Sequence, residues 1–278
     1  MQLCETAGPV LVRSWNLFHG NTAPPQRQAF LEAMIRRACA DAPDIVCLQE
    51  LPVWSLRCLA GWSGMTVVAD VAARPMLGPV PSGAELGRSI TAVDNGLFRS
   101  AFTGQANAML ISKALRVSDR HHVVLNPPGF RRAQARWLEL GTLARIAWGR
   151  ERRICQVVRV RLPDGASVLT GNLHATSFPP DERLADAEIL RAATFLDALA
   201  QPGERCVLAG DFNTKASRSW TLAELAKPEW GFSAPGPWID HVLVRGAAST
   251  PVRRWPDEDR RQDGKLLSDH APVEVTLE

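Results

Sequence analysis

Ten runs rich in valine, isoleucine and leucine recur along this chain, at residues 9–17, 44–50, 65–71, 107–113, 121–125, 154–162, 167–174, 205–213, 239–245 and 271–277. Runs of this length and composition, bounded by turn residues, read as β-strands. Pro163-Asp164-Gly165-Ala166 is a turn between two of them and predicts a hairpin. Residues 25–42 and 180–199 carry helical patterns instead. In the second, Leu184, Ala187, Leu190, Ala193, Phe195, Leu196 and Leu199 fall close to helical spacing. A shorter helix is expected over 217–226, and the Pro- and Gly-rich stretch 73–87 reads as a long loop. Strands joined both by hairpins and by helices predict a mixed α/β fold with packed sheets. No repeat, low-complexity tract or separating linker interrupts the 278 residues, so one domain spanning 1–278 is expected.

Several function classes lose support at once. No apolar stretch approaches the roughly 20 residues that cross a bilayer, so no membrane role is expected. Met1-Gln2-Leu3-Cys4-Glu5 lacks the basic-then-apolar pattern of a secretory leader, which leaves a cytoplasmic protein as the expectation. The six cysteines show no C-x-x-C spacing, and Cys47, Cys155 and Cys206 sit in apolar runs. Buried free thiols are therefore expected rather than a disulfide framework or closed zinc site. A net charge of +3 does not by itself point to nucleic acid, but residues 129–153 carry seven arginines against Glu139 and Glu151. That segment reads first as a solvated hairpin face, with a phosphate-binding surface as the alternative.

Polar residues cluster where the apolar runs begin or end. They are Asn16; Gln49-Glu50; Asn172-Leu173-His174; Gly210-Asp211-Phe212-Asn213; Asp240; and Ser268-Asp269-His270. In an extended chain residues i and i+2 share a side, so Asp211 and Asn213 project together. Any one of these residues is readily explained as a turn or cap. Their recurrence at successive strand ends is not.

As a set, these motifs resemble the endonuclease/exonuclease/phosphatase superfamily, which includes deoxyribonuclease I, abasic-site endonucleases, neutral sphingomyelinases, deadenylases and inositol-polyphosphate phosphatases. The likeness runs from Trp15-Asn16 to Ser268-Asp269-His270, and Asn107-Ala-Met-Leu-Ile-Ser112 is similar to the family's central strand. It implies an α/β fold, a four-layer α/β/β/α sandwich with two packed mixed β-sheets and the site at one end. It further implies Glu50, with Asn16 and Asp269, as metal ligands, and Asn16, Asn107 and Asn213 as phosphate contacts. An oxygen-rich site of this kind suits Mg²⁺, with Mn²⁺ as substitute. Asp211 would orient or deprotonate the attacking water. His270 would contact the scissile phosphate, with Asp240 accepting a hydrogen bond from its ring and raising its pKa.

His174 stands where abasic endonucleases carry tyrosine, and Phe18 where they typically carry aspartate. The motif is closer to the deoxyribonuclease, sphingomyelinase and deadenylase branches, whose histidine aids phosphate binding or leaving-group protonation. The leading expectation is a metal-dependent phosphodiesterase, a nuclease with nucleic acid as substrate and no obligate protein partner. The arginines of 129–136 and 149–153 would track a phosphate backbone, and Trp255 is the tryptophan expected to face the substrate, ahead of Trp15, Trp54, Trp220 and Trp238. The alternatives are a phosphatase or phosphodiesterase of a lipid headgroup or small phosphorylated molecule, over which the 73–87 loop would close, and a catalytically silent binding module.

Overall fold

A computed structural model describes residues 8–77 and 80–278. The N-terminal pentapeptide with Cys4, and residues 78–79 of the 73–87 stretch, lie outside the described residues. The main strands are β1 (Val10–Asn16), β2 (Ile45–Leu51), β3 (Thr66–Ala73), β4 (Gln105–Ile111), β5 (Arg116–Val124), β6 (Ile154–Arg161), β7 (Ser167–His174), β8 (Arg205–Asp211), β9 (Asp240–Arg245) and β10 (Val273–Leu277). Each falls on a run expected from the sequence. They form two mixed sheets, ordered β10-β1-β2-β4-β3 (with Arg253–Arg254 at the β10 edge) and β9-β8-β7-β6-β5. The β1/β2 and β7/β8 pairs are parallel and the other neighbours antiparallel. β6 and β7 make the hairpin that the 163–166 turn predicts.

The sheets pack face to face over a valine-rich core. Val12, Ile45, Cys47 and Met109 of the first sheet meet Val158, Val168, Val207 and Val244 of the second. The outer face of the first is covered by α1 (Leu31–Ala38) and α2 (Leu59–Ser63). Leu196 of α7 (Arg183–Leu199) and Leu222 of α8 (Trp220–Leu225) cover that of the second. The result is the expected four-layer α/β/β/α sandwich. Cys47, Cys155 and Cys206 are buried free thiols. Among the described residues no helix is long and apolar enough to cross a membrane.

Several local expectations are corrected. The helix expected over 25–42 is confined to Leu31–Ala38, because only Leu31, Met34, Ile35 and Ala38 form a buried stripe and Pro24-Pro25 withholds two backbone donors. Within 73–87, Met76–Leu77 pairs with Val80–Pro81, and α3 (Ala84–Val93) begins before the stretch ends. Helices α3, α4 (Asn95–Thr103), α5 (Pro128–Trp137) and α6 (Thr142–Arg150) were not legible as helices. They lie at the rim and leave apolar residues such as Leu97 and Leu143 exposed, so no clean apolar stripe marks them.

Arg13 locks the far side of the first sheet. It is fully buried in β1 and bonds Glu274 from Nε (2.7 Å) and Asp41 from both terminal nitrogens (2.7 Å each). Its guanidinium lies 4.5 Å from the Trp255 ring centre, while Trp255 Nε1 and Arg253 Nε also donate to Glu274 (2.9 and 2.7 Å). The Arg13 hydrogen bonds hold the Asp41 carboxyl below its usual value. Burial opposes ionisation of Glu274, but Trp255, Arg13 and Arg253 together bring it below its usual value as well. Truncating one side of a buried pair strands the other charge, so Glu274→Ala should cost about 3–5 kcal/mol in urea unfolding. Because both carboxyls are depressed in the folded state, their stabilisation is complete above the ordinary carboxylate range and lost as pH falls through the folded values. Stability of the wild type should therefore fall more steeply below about pH 4 than that of Glu274→Gln; parallel curves would refute the role.

Candidate active site

Strand register brings the polar ends together. His174, Asp211 and Asp240 lie side by side at the end of the second sheet, paired across β7, β8 and β9. Asn16 pairs with Gln49 at the corresponding end of the first sheet, where β1 and β2 also finish in parallel. Ligands of α/β sheets gather at such carboxyl ends, because side chains there are released from strand packing. The two rows are joined directly: Asn16 Nδ2 donates to Asp211 Oδ2 at 2.9 Å, both residues being buried.

Backbone strain is concentrated here. Phe18, His19, Glu50, Asn213 and Ser268 all adopt positive φ between 48° and 61°. Non-glycine residues pay roughly 1–3 kcal/mol for such conformations, which persist where surrounding structure imposes them. Gly210 has φ 142°, and a Cβ there would stand 1.9 Å from the Leu173 carbonyl oxygen, so only glycine fits beside Asp211.

Asp211 is the hub. Besides Asn16, it accepts the Asn213 backbone N–H at 2.9 Å. His270 Nε2 lies 3.7 Å and His174 Nε2 3.5 Å from its Oδ2. Burial, aided by Asp240, raises its pKa from the usual 3.8, against the pull of His270 and the two hydrogen bonds. His270 donates from Nδ1 to both Asp240 oxygens (3.0 and 2.9 Å). Burial disfavours its charge, but Asp211, Asp240 and Asp269 outweigh this and raise its pKa, making it an imidazolium near neutrality. Asp211, Asp240 and His270 offer ligand atoms within 4.8 Å of one another. His270 Nδ1 is committed to Asp240, so Nε2, 3.7 Å from Asp211, is the ring nitrogen left to face a phosphate or a metal.

Glu50 faces this cluster from the first sheet. Its oxygens lie 3.6 Å from His19 Nε2 and 3.7 Å from His174 Nε2, beyond normal hydrogen-bond length. His174 receives the Gln105 amide on Nδ1 at 2.9 Å and has Arg153 Nη1 within 3.0 and 3.1 Å of its ring nitrogens. Burial first, then the charges of Arg153, His270 and His19, push its pKa well below 6.5. A neutral His174 gives Glu50 no counter-charge. An oxygen donor so placed, beside further carboxylate and amide oxygens, fits a hard divalent cation.

Asn16, Glu50, His174, Asp211, Asp240 and His270 thus converge as expected. Asn213 is beside them, its Nδ2 donating to the Ala175 carbonyl at 3.0 Å. Asn107 lies deeper, 1% exposed, with its Oδ1 unpartnered and its Nδ2 at 3.5 Å from the Ile154 carbonyl. Asp269 is exposed next to His270 and stands outside the His270–Asp240 pair. Trp255 does not face the site: it is buried against Arg13 and bound to Glu274, because its ring fills the sheet edge. Residues 129–153 do not form a uniformly solvated face either, since Arg153 is buried against His174 while the rest lies largely in α5 and α6.

Sequence reasoning missed His19, Gln105 and Arg260, and placed Arg153 only among the arginines expected to track a phosphate backbone. Arg260, in a segment of balanced charge, is 3% exposed and donates through Nη1 to the carbonyls of Leu267, Ser268 and His270 (3.1, 2.9 and 3.0 Å). It holds the loop that aims His270, together with Ser268 Oγ, which accepts the His270 N–H and donates to the Asn16 carbonyl. Only Arg153 carried a signal, through its place at the start of an apolar run.

Paired mixed sheets with acidic, amide and histidine side chains gathered at one end define an α/β-sandwich hydrolase scaffold. The chain belongs to the endonuclease/exonuclease/phosphatase family, whose sequence model matches residues 14–270. That family includes metal-dependent nucleases and phosphodiesterases. No curated protein matches the chain by sequence. Among solved structures it is similar to an endonuclease/exonuclease/phosphatase from Bacteroides vulgatus (14% identity, 98% of this chain and 99% of that chain covered, TM-score 0.66). It is similar also to a functionally unknown conserved protein from Enterococcus faecalis (16%, 97% and 99%, TM-score 0.65). The human nocturnin catalytic domain with bound sulfate anion is a third (15%, 97% and 93%, TM-score 0.63).

The two histidines should titrate in opposite senses. In chelator-treated protein followed by ¹⁵N NMR, His270 should keep both ring protons through neutral pH, while His174 stays neutral well below pH 6.5. Asp240→Asn should lower the His270 midpoint by about one unit or more; an unmoved midpoint would exclude the pairing.

Proposed function

We propose that this chain is a cytoplasmic, divalent-metal-dependent phosphodiesterase acting on nucleic acid, with residues 1–278 forming one domain. The observation that carries this reading is the convergence of Asn16 and Glu50 from one sheet with His174, Asp211 and His270 around the end of the other. Glu50, with Asn16 and Asp269, would hold the metal, magnesium or in its place manganese. When bound, the metal supplies neutralisation of phosphate charge and polarisation of the P–O bond.

The protein's own groups divide the remaining work. Asp211, fixed by Asn16 and the Asn213 N–H and made more basic by burial, orients the attacking water and accepts its proton. The His270 imidazolium, held by Asp240, meets the scissile phosphate and stabilises the charge that grows as the water attacks. Gln105 donation to His174 Nδ1 favours the tautomer with its proton on Nε2. From there the neutral His174 donates a hydrogen bond to a phosphate oxygen. Asn213 and Asn107 complete the phosphate contacts. The sulfate bound by the nocturnin domain, a tetrahedral anion on a related fold, supports a phosphate-binding role.

Bis(p-nitrophenyl) phosphate should be hydrolysed with magnesium or manganese and not after chelation. Asp211→Asn and His270→Ala should each lower turnover by on the order of 10²-fold or more at unchanged thermal midpoint. Chelator-resistant or near-normal turnover would remove the assignment. A panel of plasmid, single-stranded DNA, RNA, sphingomyelin and phosphoinositides then reads the substrate.

A further inference from the structure

Helices α5 and α6 form an excursion between β5 and β6, at the end of the second sheet that carries His174 and Asp211. Residues 128–150 hold five arginines and one acid, Glu139, a net +4 against +3 for the whole chain. Arg131, Arg132, Arg136 and Arg145 line a cavity of about 430 Å³ floored by Trp148. None of the four makes an ion pair among the described residues. Arg131 Nε is buried without a hydrogen-bond partner. Room for this guanidinium is made by Gly149, where a Cβ would stand 2.4 Å from Arg131 Nη1.

The excursion is anchored to the site. Trp148 Nε1 donates to the buried Glu188 carboxylate (2.6 Å), which accepts the Thr176 N–H (2.7 Å) two residues beyond His174. On the other side of α6, Arg150, Arg153 and Thr176 line a second cavity of about 470 Å³, and Arg153 reaches His174. Arginine-lined cavities thus lie on both sides of α6, and the one nearer His174 is also lined by Glu151, which pairs with Arg153 at 2.7 Å. Trp137, at the end of α5, is 78% exposed.

We propose that the α5–α6 pair is an accessory phosphate-binding tract that holds the backbone of a single-stranded nucleic acid away from the scissile phosphate, with Trp137 stacking on a base. Guanidinium groups without ion pairs among the described residues, three exposed and Arg131 partly buried, converge on one concavity and suit successive phosphates, and an exposed indole suits base stacking. A lipid surface instead engages a continuous apolar helix face, whereas these arginines converge on one cavity.

The tract deepens the phosphodiesterase reading, yet its test needs no turnover. Binding of a fluorescein-labelled 12-nucleotide single-stranded DNA would be followed by anisotropy in chelator across a salt series. Arg132 and Arg136 are exposed, so their loss should leave the fold intact. Arg132→Ala/Arg136→Ala should weaken binding about tenfold near 100 mM salt and reduce the log–log salt slope by about 1.4. Gly149→Ala, which displaces only the flexible end of Arg131, should also weaken it. Turnover of bis(p-nitrophenyl) phosphate, a single phosphodiester without a remote phosphate, should be unchanged in both variants. Unaltered oligonucleotide binding would overturn the proposal. So would a matching loss of aryl-ester turnover, or a loss confined to phosphatidylserine vesicles. Should the wild type fail to hydrolyse the aryl ester, the catalytic reading falls while the binding series still decides the tract.

Discussion

The apolar seam between the two sheets governs everything else in this molecule. Val12, Ile45 and Met109 meet Val158, Val207 and Val244 along it, and an unpaired polar group in that layer would be costly. Polar side chains on the strands therefore collect at their ends. With the sheets packed face to face, the ends of β1 and β2 meet those of β7 and β8. The contact from Asn16 to Asp211 follows from that packing, although 195 residues separate the two.

Buried charge is treated in two contrasting ways. Around Arg13 each carboxylate is matched by donors, from the guanidinium, an indole and a second arginine. Glu188 is likewise filled, by Trp148 and by the backbone and hydroxyl of Thr176. Such closed networks fix geometry and leave nothing to bind a ligand. At the site, the Glu50 oxygens stand 3.6 and 3.7 Å from His19 and His174, His174 is kept neutral, and five residues hold strained backbone. Incomplete satisfaction combined with strain separates a place prepared for a ligand from one prepared for rigidity.

Positioning is supplied by residues with no chemistry of their own to perform. Arg260 clamps three carbonyls so that the Ser268–His270 loop presents its imidazole, and the Trp15 indole donates to the His270 carbonyl at 3.0 Å. Gln105 and Arg153 set the environment of His174. The Trp148–Glu188–Thr176 link then ties α6 to the segment that follows His174. Candidate site and cationic rim are in this way parts of one framework.

The strands and most of the site were legible because their signals are local. A valine- and isoleucine-rich run ending in Asp-x-Asn or Asn-x-His shows both its conformation and its polar terminus within ten residues, and the shared order of such motifs indicated the sandwich. The rim helices were not legible, since α3–α6 bury too little apolar surface for a helical stripe to appear. Trp255 was misjudged because nothing near it in the chain reveals that Arg13, far away in sequence, needs a ring to pack against. His19, Gln105, Arg153 and Arg260 acquire meaning only from partners brought close by folding. The sequence by itself determined which groups the chain carries and at which strand ends. The tertiary structure decided which of them share a proton, which stay uncommitted and which merely hold the others, because those distinctions depend on distance and burial between segments remote in the chain.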